Sequence, residues 1–153
     1  MVIREKRIIL LKAAYKYLMS GYTLSSTNVN TGVWNSIWIL QVPFKVRHLV
    51  WGACANCLPT NALQTKQVDV TETCPMCNAK MEDTLHVLVK CLVAKSVWCQ
   101  TEIGDQNGLA NTFISWWQLI LQGQQKEQIN LAAMICWNIW NVRNNLVWNG
   151  NVQ

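Results

Sequence analysis

The run Cys74-Pro75-Met76-Cys77, followed by His86 and Cys91, constrains this chain more than any other feature, because its C-x2-C-x8-H-x4-C spacing suits one tetrahedral metal ion. Structural zinc takes four ligands, mostly thiolate sulfur and imidazole nitrogen, and two residues between paired cysteines let a tight turn present both sulfurs. Glu82 to Lys90 has helix-forming composition, so His86 is expected to project from a helix and Cys91 to close the site just past its end. One structural Zn2+ is therefore expected on Cys74, Cys77, His86 and Cys91. The plainer reading makes His86 an ordinary core or surface histidine and the cysteines buried thiols. The register of that histidine with three cysteines favours the metal.

Cys54 and Cys57 form a rival pair. They too are C-x2-C, and sixteen residues separate them from Cys74, the spacing of a four-cysteine zinc ribbon that would leave His86 and Cys91 spare. Yet Val46, Leu49, Val50, Ala53, Cys54 and Cys57 follow one helical stripe, which accounts for the pair as core. Two assignments thus compete for one metal, and the stripe favours the later four residues.

The rest of the chain reads as helix. A length of 153 residues fits one domain with a real core plus a zinc element, and 51% hydrophobic against 14% charged residues argues against disorder. Helices are expected from about Arg4 to Met19, from Val33 to Leu40 with Trp34 and Trp38 buried, and from Pro43 onward. Others follow from Leu92 to Ile103 with Val93, Val97 and Trp98 inward, from Thr112 to Leu121, and from Lys126 to Trp148. Between them lie a polar loop over Tyr22 to Gly32, a short helix capped by Thr60, an extended arm over Val68 to Thr73 and a polar turn over Gly104 to Asn111. The last helix is apolar over most of its circumference from Leu131 to Ile139, so it is a central core helix or one that also docks another domain, with Arg143, Asn144 and Asn145 making its far end polar. The fold class is mainly α: a small helical domain with one structural zinc knuckle inserted between helices.

Seven cysteines is an odd number, and Lys12 interrupts the apolar run Ile8 to Leu11 too early for a secretory signal, so a reducing, intracellular setting in cytoplasm or nucleus is expected. Leu131 to Trp137, the longest apolar tract, falls short of the roughly 20 residues a membrane span needs. No membrane segment is expected.

Several of these positions agree together with one known family. Trp38, Pro43-Phe44-Lys45-Val46, Trp51 and Leu58-Pro59-Thr60, followed by Cys74-x2-Cys77, Glu82, His86, Cys91 and Trp98, resemble the reverse-transcriptase zinc-binding domain of plant LINE-type non-LTR retrotransposon polyproteins. Ala13-Ala14-Tyr15 with Leu18 looks like the segment preceding that domain, and Trp137-x2-Trp140-x2-Arg143-Asn144 like the segment following it. The resemblance implies metal ligands at Cys74, Cys77, His86 and Cys91, and none at Cys54 or Cys57. It also implies an organisation into an N-terminal helix and polar linker over 1–32, the zinc-binding domain over 33–103 and a Trp-rich helical segment over 104–153. Gly52 departs from the arginine the family commonly carries after the tryptophan, which removes a basic contact there.

In such polyproteins the domain lies between a polymerase and a ribonuclease H domain. Neither a polymerase Asp-Asp pair nor a carboxylate set for two-metal hydrolysis stands out among the eight acidic residues, so a stand-alone, non-catalytic fragment is expected. Cys99 and Cys136 have no histidine near them in sequence, and His48 has no evident nucleophile. No small-molecule substrate is expected. The formal charge of +5 gives a mild bias toward RNA or DNA, with Lys45, Arg47, Lys80, Lys90 and Lys95 as candidate contacts, although a solvated face is the favoured reading of Lys80, Lys90 and Lys95. Nine tryptophans fill a core or serve a contact surface. The alternatives are a protein-interaction or spacer module docking the flanking polymerase or ribonuclease H domains, and a relic fragment without a role.

Overall fold

A computed structural model describes residues 29–60, 73–103 and 110–149. The expected first helix, the loop as far as residue 28, the short helix after Thr60, the arm over 68–72 and most of the Gly104 to Asn111 turn lie outside these residues.

Five α-helices and one π-helix make up the described chain: α1 (Val29–Trp38), α2 (Phe44–Cys54), the π-helix (His86–Lys90), α3 (Leu92–Trp98), α4 (Phe113–Gly123) and α5 (Lys126–Asn149). The fold is mainly helical, as its periodicity implies. Among the described residues the extended pairing is confined to an isolated antiparallel bridge between Thr73 and Met81. The chain divides into two compact units, Met1–Ser36 and Ile37–Gln153, the boundary falling inside α1. Within the second unit α5 packs against α2, the π-helix and α4, and so runs through the centre.

Local chemistry sets each boundary. Pro43 stands at the N-cap of α2, where its carbonyl accepts from the Val46 and Arg47 N–H groups at 2.9 and 3.3 Å and its own missing N–H costs nothing. The other end is a Schellman motif: Asn56 adopts φ 55°, the Asn56 N–H donates to the Ala53 carbonyl at 3.2 Å and the Cys57 N–H to the Gly52 carbonyl at 2.8 Å. Thr112 caps α4 in a reciprocal box with Ser115, each backbone N–H donating to the other's hydroxyl at 3.2 Å, an arrangement that contributes about 1 kcal/mol.

The core is built on apolar stripes. In α2 these are Val46, Leu49, Val50, Ala53 and Cys54; in α4, Phe113, Trp116, Trp117 and Ile120; in α5, Ala132, Ala133, Ile135, Cys136, Ile139 and Trp140. Trp98 and Trp116 meet edge to face with centroids 5.1 Å apart, a geometry that adds about 1 kcal/mol beyond area burial. The Trp98 indole N–H also donates to the Leu88 carbonyl at 2.8 Å, tying α3 to the π-helix.

Several expectations need correction. The Schellman turn ends α2 at Cys54, so Cys57 leaves the stripe and is exposed. Helix α1 begins at Val29 inside the expected polar loop, and Trp34 and Trp38 are half-buried rather than enclosed. Trp38 instead stacks on Phe44 at 6.1 Å. Helix α3 stops at Trp98, and Val93 faces solvent while Ala94 is buried, because the chain enters the helix directly from Cys91 and that fixes its rotation. Arg143 is not part of a polar helix end: it is buried. Gly52 is buried too, and a Cβ there would stand 3.2 Å from Leu58 Cδ2, so the turn over Leu58 closes on the space a larger side chain would need.

Candidate metal centre

The first ligand pair sits on a tight knuckle between the bridged residues Thr73 and Met81. The Cys74 N–H donates to the Lys80 carbonyl and the Asn78 N–H to the Cys74 carbonyl, both at 2.8 Å. Asn78 takes φ 54° to reverse the chain, a conformation asparagine adopts more readily than most residues.

The second pair depends on an irregular helix. Asp83 caps it, its Oδ1 accepting from the His86 N–H at 2.8 Å, and the helix starts at Thr84 rather than Glu82. From His86 it widens, and the Cys91 N–H donates to the His86 carbonyl at 2.6 Å. In an α-helix residues three or four apart share a face, so a residue five along points elsewhere. The i to i+5 turn of a π-helix ties the two positions together instead. Leu85, Val87, Leu88 and Val89 are buried beside the site and hold the turn in place.

The structure brings Cys74, Cys77, His86 and Cys91 together, with their four ligand atoms all within 4.8 Å of one another. Cys74 Sγ lies 3.9 Å from Cys91 Sγ, and Cys77 Sγ lies 3.3 Å from His86 Nε2. Two sulfurs on one tetrahedral zinc stand about 3.8 Å apart, and a sulfur and an imidazole nitrogen about 3.6 Å. Both edges match within a few tenths of an ångström.

Proton affinities in the cluster are pulled apart. Burial pushes the Cys74 thiol up to about 12, against the backbone N–H groups of Cys77 and Met76, while negative charge on Cys91 and Cys77 adds to the rise. Burial acts on Cys77 in the same sense, but the Ala79 N–H, the His86 ring, the Lys80 N–H and the Cys91 thiol outweigh it and bring Cys77 down to about 6. Crowded thiols resist joint ionisation. A bound dication reverses that logic by stabilising every thiolate at once, so the donor set fits zinc in chemistry as well as spacing.

A buried ion pair stands between the ligand pairs. The Arg143 Nε and Nη2 groups donate to Glu82 Oε1 and Oε2 at 2.5 and 2.8 Å, with side chains 3% and 0% exposed. Arg143 Nη1 also donates to Asn144 Oδ1 at 3.1 Å, and the guanidinium lies 5.0 Å from the Trp140 ring centroid. The residues are 61 apart, so no local pattern announces the contact. In sequence Glu82 stands beside a second acid, Asp83, in the polar run between the two ligand pairs, so nothing there marks it out.

The rival pair does not converge. Cys54 is buried, its thiol raised by desolvation and by Cys136, whereas Cys57 is exposed with its thiol donating to the Ala55 carbonyl at 3.3 Å. The five cations are spread over α2, the knuckle, the π-helix and α3. Lys80 and Lys95 are exposed and Lys90 is half-buried. Lys45 lies over the Trp137 ring at 5.0 Å. Arg47 is half-buried and does not face solvent freely, since its Nη1 donates to the Trp38 carbonyl at 3.0 Å and its guanidinium lies 5.8 Å from Phe44. His48 sits among Trp38, Phe44 and Trp51, and burial lowers its pKa.

The model of a family described as zinc-binding in reverse transcriptase matches residues 11–98, more than half of the chain. The chain belongs to that family. Comparison with curated proteins and with solved structures returned no match. Among the described residues no helix is long and apolar enough to cross a membrane.

Proposed function

We propose that Cys74, Cys77 and Cys91, as thiolates, and His86 through Nε2 hold one structural Zn2+ ion, and that the domain is a non-catalytic module that helps a retrotransposon reverse transcriptase of the plant LINE type engage RNA or DNA. The observation that carries the metal assignment is the convergence of four ligand atoms within 4.8 Å on tetrahedral edges. Four protein donors leave no position for a water nucleophile, so the ion would cross-link the knuckle to the π-helix rather than activate a substrate. Metal analysis of purified protein should give one zinc per chain, lost in His86→Ala or Cys91→Ala and kept in Cys54→Ala. The opposite pattern would transfer the site to the ribbon.

Three thiolates leave the loaded centre near minus one, so nucleic-acid contact would rest on Lys80, Lys90 and Lys95 around it and on Lys45 of α2. Arg47 would contribute less, because it is half-buried with its Nη1 committed to the Trp38 carbonyl. Anisotropy titration across a salt series tests this. A binder neutralising four phosphates weakens with a log–log slope of about −3 to −4.

A second reading, a module docking protein, draws on one observation. Met76, Val93, Val97, Ile135, Ile139 and Val142 line an apolar depression of about 150 Å³ beside the knuckle, which suits an apolar partner side chain. Its binding would be nearly indifferent to salt.

A further inference from the structure

Glu82 is the one buried residue in the link 81–83, which joins the knuckle to the helix carrying His86; Met81 and Asp83 on either side are exposed. The link's place in the fold is therefore set by where the Glu82 carboxylate can be satisfied. Arg143 supplies that place from α5, well beyond residue 98 where the family match ends. The guanidinium is itself fixed by Trp140 and Asn144, and α5 also packs on the π-helix. A planar fork seated on both carboxylate oxygens fixes orientation as well as distance.

We infer that Arg143 is a positioning residue for the metal centre: through Glu82 it sets the separation of the Cys74–Cys77 and His86–Cys91 pairs, so metal retention depends on α5 being docked. Removing the guanidinium strands a buried carboxylate, which must be solvated or protonated. The easiest escape is outward movement of the link, and Asp83, whose carboxylate caps His86, moves with it. The inference rests on the zinc reading of the cluster.

The test uses the full chain, with zinc affinity measured against a chromophoric chelator and the visible spectrum of the Co2+-loaded protein as a report on ligand geometry. Arg143→Met and Glu82→Gln should each weaken zinc by about 10–100-fold, the usual loss when a group supporting a ligand shell is removed, and should shift the Co2+ bands. Arg143→Lys, which keeps the charge without the fork, should fall between them and the parent. The double change Glu82→Met with Arg143→Met should recover to within about threefold, because no charge is then stranded. Ile120→Ala, a core truncation in α4 remote from the pair in sequence, should lower thermal stability while leaving the Co2+ spectrum unchanged. Unchanged affinity and spectrum in Arg143→Met, or an equal loss in Ile120→Ala, overturns the inference while leaving the zinc assignment standing. A parent protein that takes up no zinc instead overturns the assignment itself.

Discussion

Cysteine burial separates the seven thiols by environment. Cys57 and Cys99 are exposed, Cys54 and Cys136 are buried with their thiols raised by desolvation, and Cys74, Cys77 and Cys91 converge with His86. Alkylation requires an accessible thiolate. In the zinc-loaded protein, brief treatment with iodoacetamide should label Cys57 and Cys99, and chelation should add Cys77, half-buried with its thiol brought down to about 6, well before the buried Cys74 and Cys91, as read by peptide mass spectrometry. Protection of Cys57 that disappears on chelation would place the metal on the other pair. At this scale the ligands were legible because they lie close together in sequence and their chemistry is specific. Cys57 was misplaced because its helical register is right as far as Cys54, and the asparagine at 56 then turns the chain. Asparagine before a proline two residues beyond the cysteine was the available warning.

Among the elements, the π-helix has the most direct bearing on the centre. Its composition announced a helix but could not announce the wider turn, because the choice between i+4 and i+5 is settled by what the turn must connect. Here it must connect His86 to Cys91. Deleting Val89 would shorten the spacing to one that an ordinary α turn serves, but would also rotate the buried valine and leucine side chains out of register. Zinc affinity is expected to fall by at least about 10-fold, measured by chelator competition, with the helical circular dichroism largely kept. A deletion variant that binds zinc as the parent does would show the wider turn to be incidental. Helices α4 and α5 were legible to within two residues at each end, α4 from its threonine cap and α5 from its long apolar run.

For the molecule as a whole, proton uptake and metal loss act in the same direction. Burial of His48 depresses its pKa below 6.5, so the folded state binds fewer protons than the unfolded one. Its contribution is fully present above pH 6.5 and is lost as pH falls through the depressed folded value. Acid would also protonate the four candidate ligands and so weaken a zinc ion held by them. The melting temperature of the chelated protein should drop between about pH 7.5 and 5.5, and less in His48→Gln, which separates the histidine from the metal. An identical slope in that variant would remove His48 from the account. The Arg143–Glu82 contact escaped sequence reading at this scale because a charged residue near a helix end normally faces water, and only the tertiary fold brings its partner across.

The indole of Trp98 on the carbonyl of Leu88 joins two neighbouring elements, whereas the guanidinium of Arg143 reaches back over 61 residues of the second unit. In kinetic terms they belong to different stages. Contacts between near neighbours form quickly, and those that close long loops wait for the chain to search. The knuckle, the π-helix and Trp98 can therefore organise as a local nucleus, while the last helix arrives as a late fastening. A chain caught between those stages would hold its metal in a half-formed cradle and expose the apolar face of α5, making that interval its most aggregation-prone.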